Sequence, residues 1–245
     1  MDQISILAAS GMRSSMQSLD LLANNIANAS TSGFKGDSEF HSVYTSEAAD
    51  AEGNDLPVSL PMIQRRYTDF SQGLLEPTNN PLDFGLSGKG FFVVKGPTGP
   101  LYTRNGNFRM SADGTVVTSD GYPLLGQGGQ PIKSTEPGAS LQVSPDGSVH
   151  QNGQTLAQVQ VVDFQDSSAL SKQGNNYFQN TSGKEPENTT EAQIYQGKVE
   201  ASNVSAAHGA VRLVSVTRQF EMMQKAISIA NDMGREAIEQ VAKVG

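Results

Sequence analysis

The stretch that decides the fold is Leu213–Val244, LVSVTRQFEMMQKAISIANDMGREAIEQVAKV. Leu213, Val216, Phe220, Met223, Ile227, Ala230, Gly234, Ala237, Val241 and Val244 follow one another at alternating steps of three and four. That spacing is the a/d seam of a long helix that packs lengthwise on other helices. Glu221 stands four residues before Lys225 and Arg235 four before Glu239, so each pair meets on one helix face. At 1.5 Å per residue the run is roughly 50 Å long. Burying a large seam side chain is worth about 1.5–3 kcal/mol, so the seam requires a partner, and small residues at Ala230, Gly234 and Ala237 allow one to come close.

A second amphipathic helix is expected over about Gln3–Ser30. Ala8, Met12, Leu19, Leu22, Ile26 and Ala29 fall on one heptad seam, with Ser5 and Ser15 as its weak members. Gly33 follows where a helix end favours a residue able to take positive φ. Asn24, Asn25 and Asn28 crowd the last turns although Asn is a mediocre helix former. One reading is a fraying turn capped locally; the other is amides that bond to neighbouring chains.

Between the two helices the period changes. Residues 35–75 show little periodicity and are expected to form an extended linker, with a polar loop at Ser46–Leu60 and an extended Tyr67–Leu75. From Pro81 to about Tyr195 the period is two. Candidate strands are Phe91–Lys95, Leu101–Arg104, Phe108–Met110, Thr115–Thr118, Tyr122–Leu125, Leu141–Val143, Ser148–Gln151 and Ala157–Phe164. Five Asx-Gly steps, at Asn105, Asp113, Asp120, Asp146 and Asn152, lie among them, and such steps favour tight hairpin turns. The expected fold is mainly β with long terminal α-helices: an antiparallel hairpin domain inserted between N- and C-terminal coiled-coil-like helices. The expected divisions are 1–34 (helix), 35–75 (linker), 76–196 (β domain) and 197–245 (helix). Ser202 or Asn203 is placed to cap the second helix.

Composition narrows the function. Of 245 residues, Lys+Arg number 17 and Asp+Glu 25, a net charge of −8, which argues against nucleic acid or an anionic membrane as the main partner. No apolar run reaches the ~20 residues of a membrane span, and no basic segment precedes an apolar core at the N-terminus, so a cleaved secretory signal is not expected. With Cys 0, disulfides and thiolate chemistry are excluded. His41, His150 and His208 share no metal-ligand spacing. Asp113, Asp120 and Asp146 are explained by their turns and lack the dense acidic pattern of a calcium loop. Gly85, Gly88 and Gly90 precede an apolar strand rather than following one, which rejects a dinucleotide loop, and no GxSxG step occurs. No catalytic residue, cofactor or metal is therefore expected. An enzyme would need a cluster of perturbed titratable groups in a cleft. A trimerised β-rich adhesin or binding module would need only one seamed helix.

Three blocks carry a resemblance. Leu21–Lys35, LLANNIANASTSGFK, resembles the N-terminal signature of bacterial flagellar axial proteins, with Asn24, Asn25, Ile26, Ala27, Asn28, Thr31, Gly33 and Phe34 at its characteristic positions. Asn80–Val93 with Tyr102–Phe108 and Gly121–Leu125 is similar to rod and hook subunits, departing from them at Phe84-Gly85 and Lys89. Tyr195–Val204 with Arg218–Glu221 resembles the lead into their C-terminal helix, whose hallmark residues here are Glu200, Ser202, Asn203 and Val204. Chain length and the Phe220–Lys225 segment favour the proximal-rod type over the distal rod or the hook. The resemblance implies a structural subunit of the flagellar basal-body rod, part of the drive shaft for motility, with terminal helices as the inner core of a helical assembly. It implies as partners the chain itself, adjacent axial subunits and the flagellar type III export apparatus, and a basal-body location in the periplasmic space. The interface seam is then Met12, Leu19, Leu22, Ile26, Leu213, Val216, Phe220, Met223, Ile227 and Val241. The assembly or capping contacts are Asn24, Asn25, Ala27, Asn28, Thr31, Gly33, Phe34, Glu200, Ser202 and Asn203. Before assembly the terminal seams are expected to be poorly ordered, because ordering costs ~1–2 kcal/mol per residue with no compensating burial.

Overall fold

The computed structural model describes residues 2–45, 59–136, 139–174, 176–189 and 191–244. It is mainly β, with one helix near each end of the chain. The residues form two compact units: Met1–Ala27, Asp37–Thr68 and Ser205–Gly245 in the first, Asn28–Gly36 and Asp69–Val204 in the second.

The first unit holds α1 (Asp2–Ala27), strands β1 (Asp37–Thr45) and β2 (Ser59–Thr68), and α2 (Ala206–Val244). The helices run antiparallel. A Cβ built on Gly11 would sit 2.7 Å from Met223 Sδ, and one on Gly209 2.7 Å from Ile26 Cγ1. These two glycines thus let the helices approach where a large residue of the partner points at the backbone. α2 is capped by neither Ser202 nor Asn203. Ser205 takes that role: its carbonyl accepts from the Gly209 N–H at 2.9 Å, and its Oγ accepts from the His208 N–H at 3.4 Å. α1 ends at Ala27, so Ala29 lies beyond it.

Residues expected as a linker are partly a paired antiparallel ribbon. β1 and β2 pair from Asp37↔Thr68 to Thr45↔Ser59, with a register shift between Phe40 and His41. The extra residue is in β2, where Phe40 faces Arg65 and His41 faces Ile63, and such a bulge shifts the alternation of the strand that carries it. The expected loop at Ser46–Leu60 lies almost wholly outside the described residues.

The second unit is built of β3 (Leu75–Pro77), β4 (Phe84–Ser87), β5 (Phe91–Lys95), β6 (Pro100–Thr103), β7 (Phe108–Met110), β8 (Val116–Thr118), β9 (Gln142–Val143), β10 (Ser148–Gln151), β11 (Gln154–Gln158), β12 (Val161–Asp163), β13 (Leu170–Lys172), β14 (Tyr177–Asn180), β15 (Glu187–Asn188), β16 (Gln193–Gln196) and β17 (Lys198–Glu200). Every strand pairing among the described residues is antiparallel. The largest sheet runs β13-β14-β6-β5-β12-β15. Its strand β5 separates two cores: Phe92 and Val94 enter one with Phe84, Phe108 and Leu124, and Phe91 and Val93 enter the other with Tyr102, Val162 and Phe178. Phe70 closes the second core edge-on to Phe91 and Phe178, at 5.5 and 5.2 Å.

The Asx-Gly steps act mostly as turns. Asn152 and Gly153 have φ of 51° and 79° and join β10 to β11 as a two-residue hairpin at Gln151↔Gln154. Asn105-Gly106 differs, because Gly106 is not among the glycines with positive φ and lies against the Phe84 backbone instead. Tyr122–Leu125 is not a strand but makes single bridges to Val94, Val117 and Pro131; Pro123 within it has no N–H to extend a ladder. Ala157–Phe164 divides into the end of β11 and β12.

Candidate assembly site

The terminal motif residues separate into two places. In the second unit, Asn28–Gly36 and Lys198–Asn203 meet across a buried ion cluster. Glu200 follows Val199 on β17 and is fully enclosed, at 0% exposure. Its Oε1 accepts from Lys35 Nζ at 2.5 Å and from the Gly73 N–H at 2.8 Å. Its Oε2 accepts from Arg104 Nη1 at 3.2 Å. Lys35, equally buried, also donates to the Ser71 carbonyl at 2.7 Å. Arg104 donates to the Gly88 carbonyl at 2.8 Å and stands 5.3 Å over the Phe91 ring. Burial pushes the Lys35 ammonium below its ordinary value, with Glu200 opposing and Arg104 adding to the shift. Burial likewise lowers Arg104 against the pull of Glu200. Two cations sharing one carboxylate leave a net positive site away from water, and release of a proton from Lys35 relieves it.

Around this cluster the other motif residues are local fasteners. Gly33 takes φ 69° and donates its N–H to the Glu200 carbonyl at 2.7 Å. A side chain there would meet the backbone of Arg104 and Asn105. Phe34 is buried beneath Lys172, whose Nζ lies 4.7 Å from the ring. Thr31 donates its N–H to the Asn28 carbonyl at 3.1 Å and its hydroxyl to Asn28 Oδ1 at 3.3 Å. Asn203 accepts from the Gly36 N–H at 2.8 Å and donates to the Asp69 carbonyl at 2.7 Å. Ser202 Oγ accepts from the Val204 N–H at 3.1 Å. Lys35 and Arg104 were not singled out from the sequence. In the sequence Lys35 follows Phe34 and Arg104 follows Leu101-Tyr102-Thr103, and neither position carries a local signal of burial.

In the first unit, Asn25 forms a two-way amide clasp with the start of β1. Its Nδ2 donates to the Asp37 carbonyl at 2.7 Å and its Oδ1 accepts from the Asp37 N–H at 3.0 Å. Ser18 Oγ and Arg212 Nη2 both donate to Glu39 Oε1, at 2.7 and 3.1 Å. Asn24 and Ala27 are on the exposed side of α1. The most enclosed positions of α1 are Gly11, Ser15, Ser18, Leu21, Leu22 and Asn25, while Met12, Leu19 and Ile26 are half-buried. α1 thus presents a second covered face, the one towards β1, beside the seam expected from spacing.

On α2 the positions Leu213, Val216, Phe220, Met223, Ile227 and Ala230 are half-buried and Gly234 buried, whereas most of the intervening residues are exposed. Val241 lies where α2 side chains are outside those described. The far side of the helix is also apolar and uncovered: Val211 is 72% exposed, Met222 65%, Ile229 51% and Met233 66%. At 3.6 residues per turn this stripe lies roughly 140° around the helix from the seam. Among the described residues, no three His, Cys, Asp or Glu side chains gather to hold a metal, and no helix is long and apolar enough to cross a membrane. A hollow of about 360 Å³ beside Asp163, Asp166, Glu185 and Glu187 carries no such group.

Comparison with known proteins places these features in a family. A model described as flagella basal body rod protein matches residues 7–35, which contain most of α1 and the Asn28–Lys35 segment. A flagellar basal body rod FlgEFG protein C-terminal model matches residues 195–240, from Glu200 through most of α2. A flagellar hook protein FlgE/F/G D1 domain model matches residues 85–151. The chain is 32% identical over 244 residues to the flagellar basal-body rod protein FlgF of Caulobacter vibrioides, covering 100% of both. It is 31% identical over 204 residues to FlgF of Mesorhizobium japonicum, covering 83% of each. To the rod protein FlgG of Buchnera aphidicola it is 31% identical over 251 residues, covering 93% of this chain and 95% of that one.

Proposed function

The chain belongs to the flagellar basal-body rod protein family, FlgF type, and on that premise we propose that it polymerises through its helix pair, with the bare stripe of α2 as the surface a neighbouring subunit covers. It is a structural subunit of the basal-body rod, a part of the motility apparatus that assembles with other rod and axial subunits. A single observation carries the polymerisation reading. α2 has two apolar faces, and α1 covers one. Large apolar side chains exposed together on one helix face mark an interaction site. The two helices lie against each other within one chain. What assembly adds is burial of the second face.

The coiled-coil-like seam of Met12, Leu19, Leu22, Ile26, Leu213, Val216, Phe220, Met223 and Ile227 holds the pair in the shape that neighbours recognise. Asn24 stands on the exposed side of α1. A proximal position in the rod is supported by the match to FlgF over the full length of both chains. Export by the flagellar type III apparatus into the periplasmic space is supported by the cysteine-free sequence, since no disulfide then obstructs passage as an extended chain.

Two variants test the reading in cells lacking the native copy. Phe220→Asp places a charge in the α1–α2 seam and Met222→Asp one on the bare face. Both should fail to enter isolated basal bodies while the β unit keeps its denaturation midpoint. Normal incorporation of Met222→Asp would remove the bare face from the assembly surface, and normal incorporation of Phe220→Asp would remove the seam.

A further inference from the structure

Two Asn-Gly steps stand in the second unit, at Asn105 and Asn152, and the fold treats them oppositely. An asparagine followed by glycine can lose its amide without an enzyme. The glycine backbone nitrogen gives up its proton and attacks the side-chain carbonyl carbon of the asparagine. A C–N bond forms, the amide nitrogen leaves as ammonia, and a five-membered succinimide remains. Water then opens one of its two carbonyls, leaving aspartate or isoaspartate. Glycine favours this ring because it has no Cβ to obstruct the approach. The step also requires the peptide between the two residues to turn.

At Asn105-Gly106 that peptide is locked. The Asn105 N–H donates to Thr103 Oγ1 at 3.0 Å, and Asn105 Oδ1 accepts from the Asn107 N–H at 3.1 Å. The Gly106 carbonyl accepts from the Phe84 N–H at 2.9 Å. Gly106 is buried and lies so close to the Phe84 carbonyl that a Cβ there would collide with it. Asn152-Gly153 is instead the exposed tip of the β10–β11 hairpin, and the space beside Gly153 is open. Asn152 Nδ2 donates to Glu136 Oε2 at 2.6 Å, with both residues exposed.

We infer that Asn152 is a site of spontaneous deamidation and that the fold shields Asn105 from the same reaction. Neither product fits where the amide stood. Aspartate sets a carboxylate against that of Glu136 in place of a donor, and like charges repel. Isoaspartate adds a carbon to the main chain inside a two-residue turn matched to φ of 51° and 79°. The neighbouring Gln151 side chain donates to Ser134 Oγ and to the Glu136 and Ala139 carbonyls, so the change at the tip adjoins the residue that fastens this segment. Deamidation at Asn152 is independent of the rod reading, since it uses no residue of either helix.

The test incubates the full chain in mildly alkaline buffer, once folded and once in strong denaturant. Peptide mass spectrometry reads the conversion of amide to acid at each position, and enzymatic methyl transfer reads isoaspartate. An Asn152→Asp chain marks the product on ion exchange, and circular dichroism shows that the folded sample keeps its strands. In the folded chain Asn152 should convert about tenfold faster than Asn105 or more, because Asn105 must wait for local unfolding. In denaturant the two rates should converge. Equal conversion of the two in the folded chain overturns the inference, as does an Asn152 that stays intact while the denatured chain reacts at both positions. A difference that persists in denaturant overturns it as well, because the fold would then not be its cause.

Discussion

Glu200→Gln is the substitution that probes the second unit most sharply. It keeps the shape of the side chain and removes the carboxylate that Lys35 and Arg104 share in the buried cluster. Gln offers one oxygen where two now accept from Lys35, Gly73 and Arg104, and its amide group is a donor facing donors. Stranding one buried charge costs about 3–5 kcal/mol, and two cations are stranded here, although proton release from Lys35 limits the second cost. We expect a loss of about 4 kcal/mol, a large part of the 5–15 kcal/mol available to a domain. At roughly 2–4 °C per kcal/mol for a unit of this size, the melting temperature should fall by about 8–16 °C. Calorimetry or denaturant unfolding of the full chain measures this. The combined change Lys35→Met, Arg104→Met and Glu200→Leu should recover most of the loss, because removing a buried charge group entirely is far cheaper than breaking it. A loss below about 1 kcal/mol for Glu200→Gln would refute the claim that this carboxylate holds the cluster together.

Three further outcomes follow from the same geometry. Gly33→Ala forces a Cβ onto a left-handed backbone that costs about 1–2 kcal/mol before its collision with Arg104 and Asn105, so the denaturation midpoint of the β unit should drop, and an unchanged midpoint would contradict the close approach. Asn25→Ala removes both hydrogen bonds to Asp37 and should cost about 1–3 kcal/mol, seen as an earlier melt of the helical circular dichroism. The folded pKa of Lys35 lies below the ordinary 10.5, so the unfolded chain holds that proton more tightly and folding gains as pH rises between the two values. The stability of the native chain relative to Lys35→Met should then increase with pH in the window below 10.5, and a flat or falling difference would count against the shift.

The two helices were legible because their signal is local. The three-and-four spacing of Leu213 to Gly234 coincides with the less exposed side of α2. The hairpin turns were legible for the same reason, since Asn152-Gly153 needs only its own φ angles. Contacts between distant residues were not legible. Glu200 meets Lys35 across 165 positions and Asn203 meets Gly36 across 167, and no periodicity reports such pairs. The motif residues read from sequence as assembly or capping contacts, the asparagines of α1 by their unusual composition and the others through the resemblance. The structure supplies an internal one for Asn25, Gly33, Phe34, Glu200 and Asn203. The β1–β2 ribbon is poorly legible in sequence, where a bulge interrupts β2 and with it that strand's alternation. On α1 the spacing of Met12, Leu19 and Ile26 described one covered side. The polar Ser15, Ser18 and Asn25 line the other, where burial is satisfied by hydrogen bonds rather than by apolar area.

Polymerisation through α2 requires that another subunit close the uncovered side of that helix. A cryo-EM map of isolated basal bodies, at a resolution that places side chains, measures this directly. It should show Val211, Met222, Ile229 and Met233 packed against a neighbouring axial subunit. The same four side chains facing solvent or the lumen along the whole rod would contradict it.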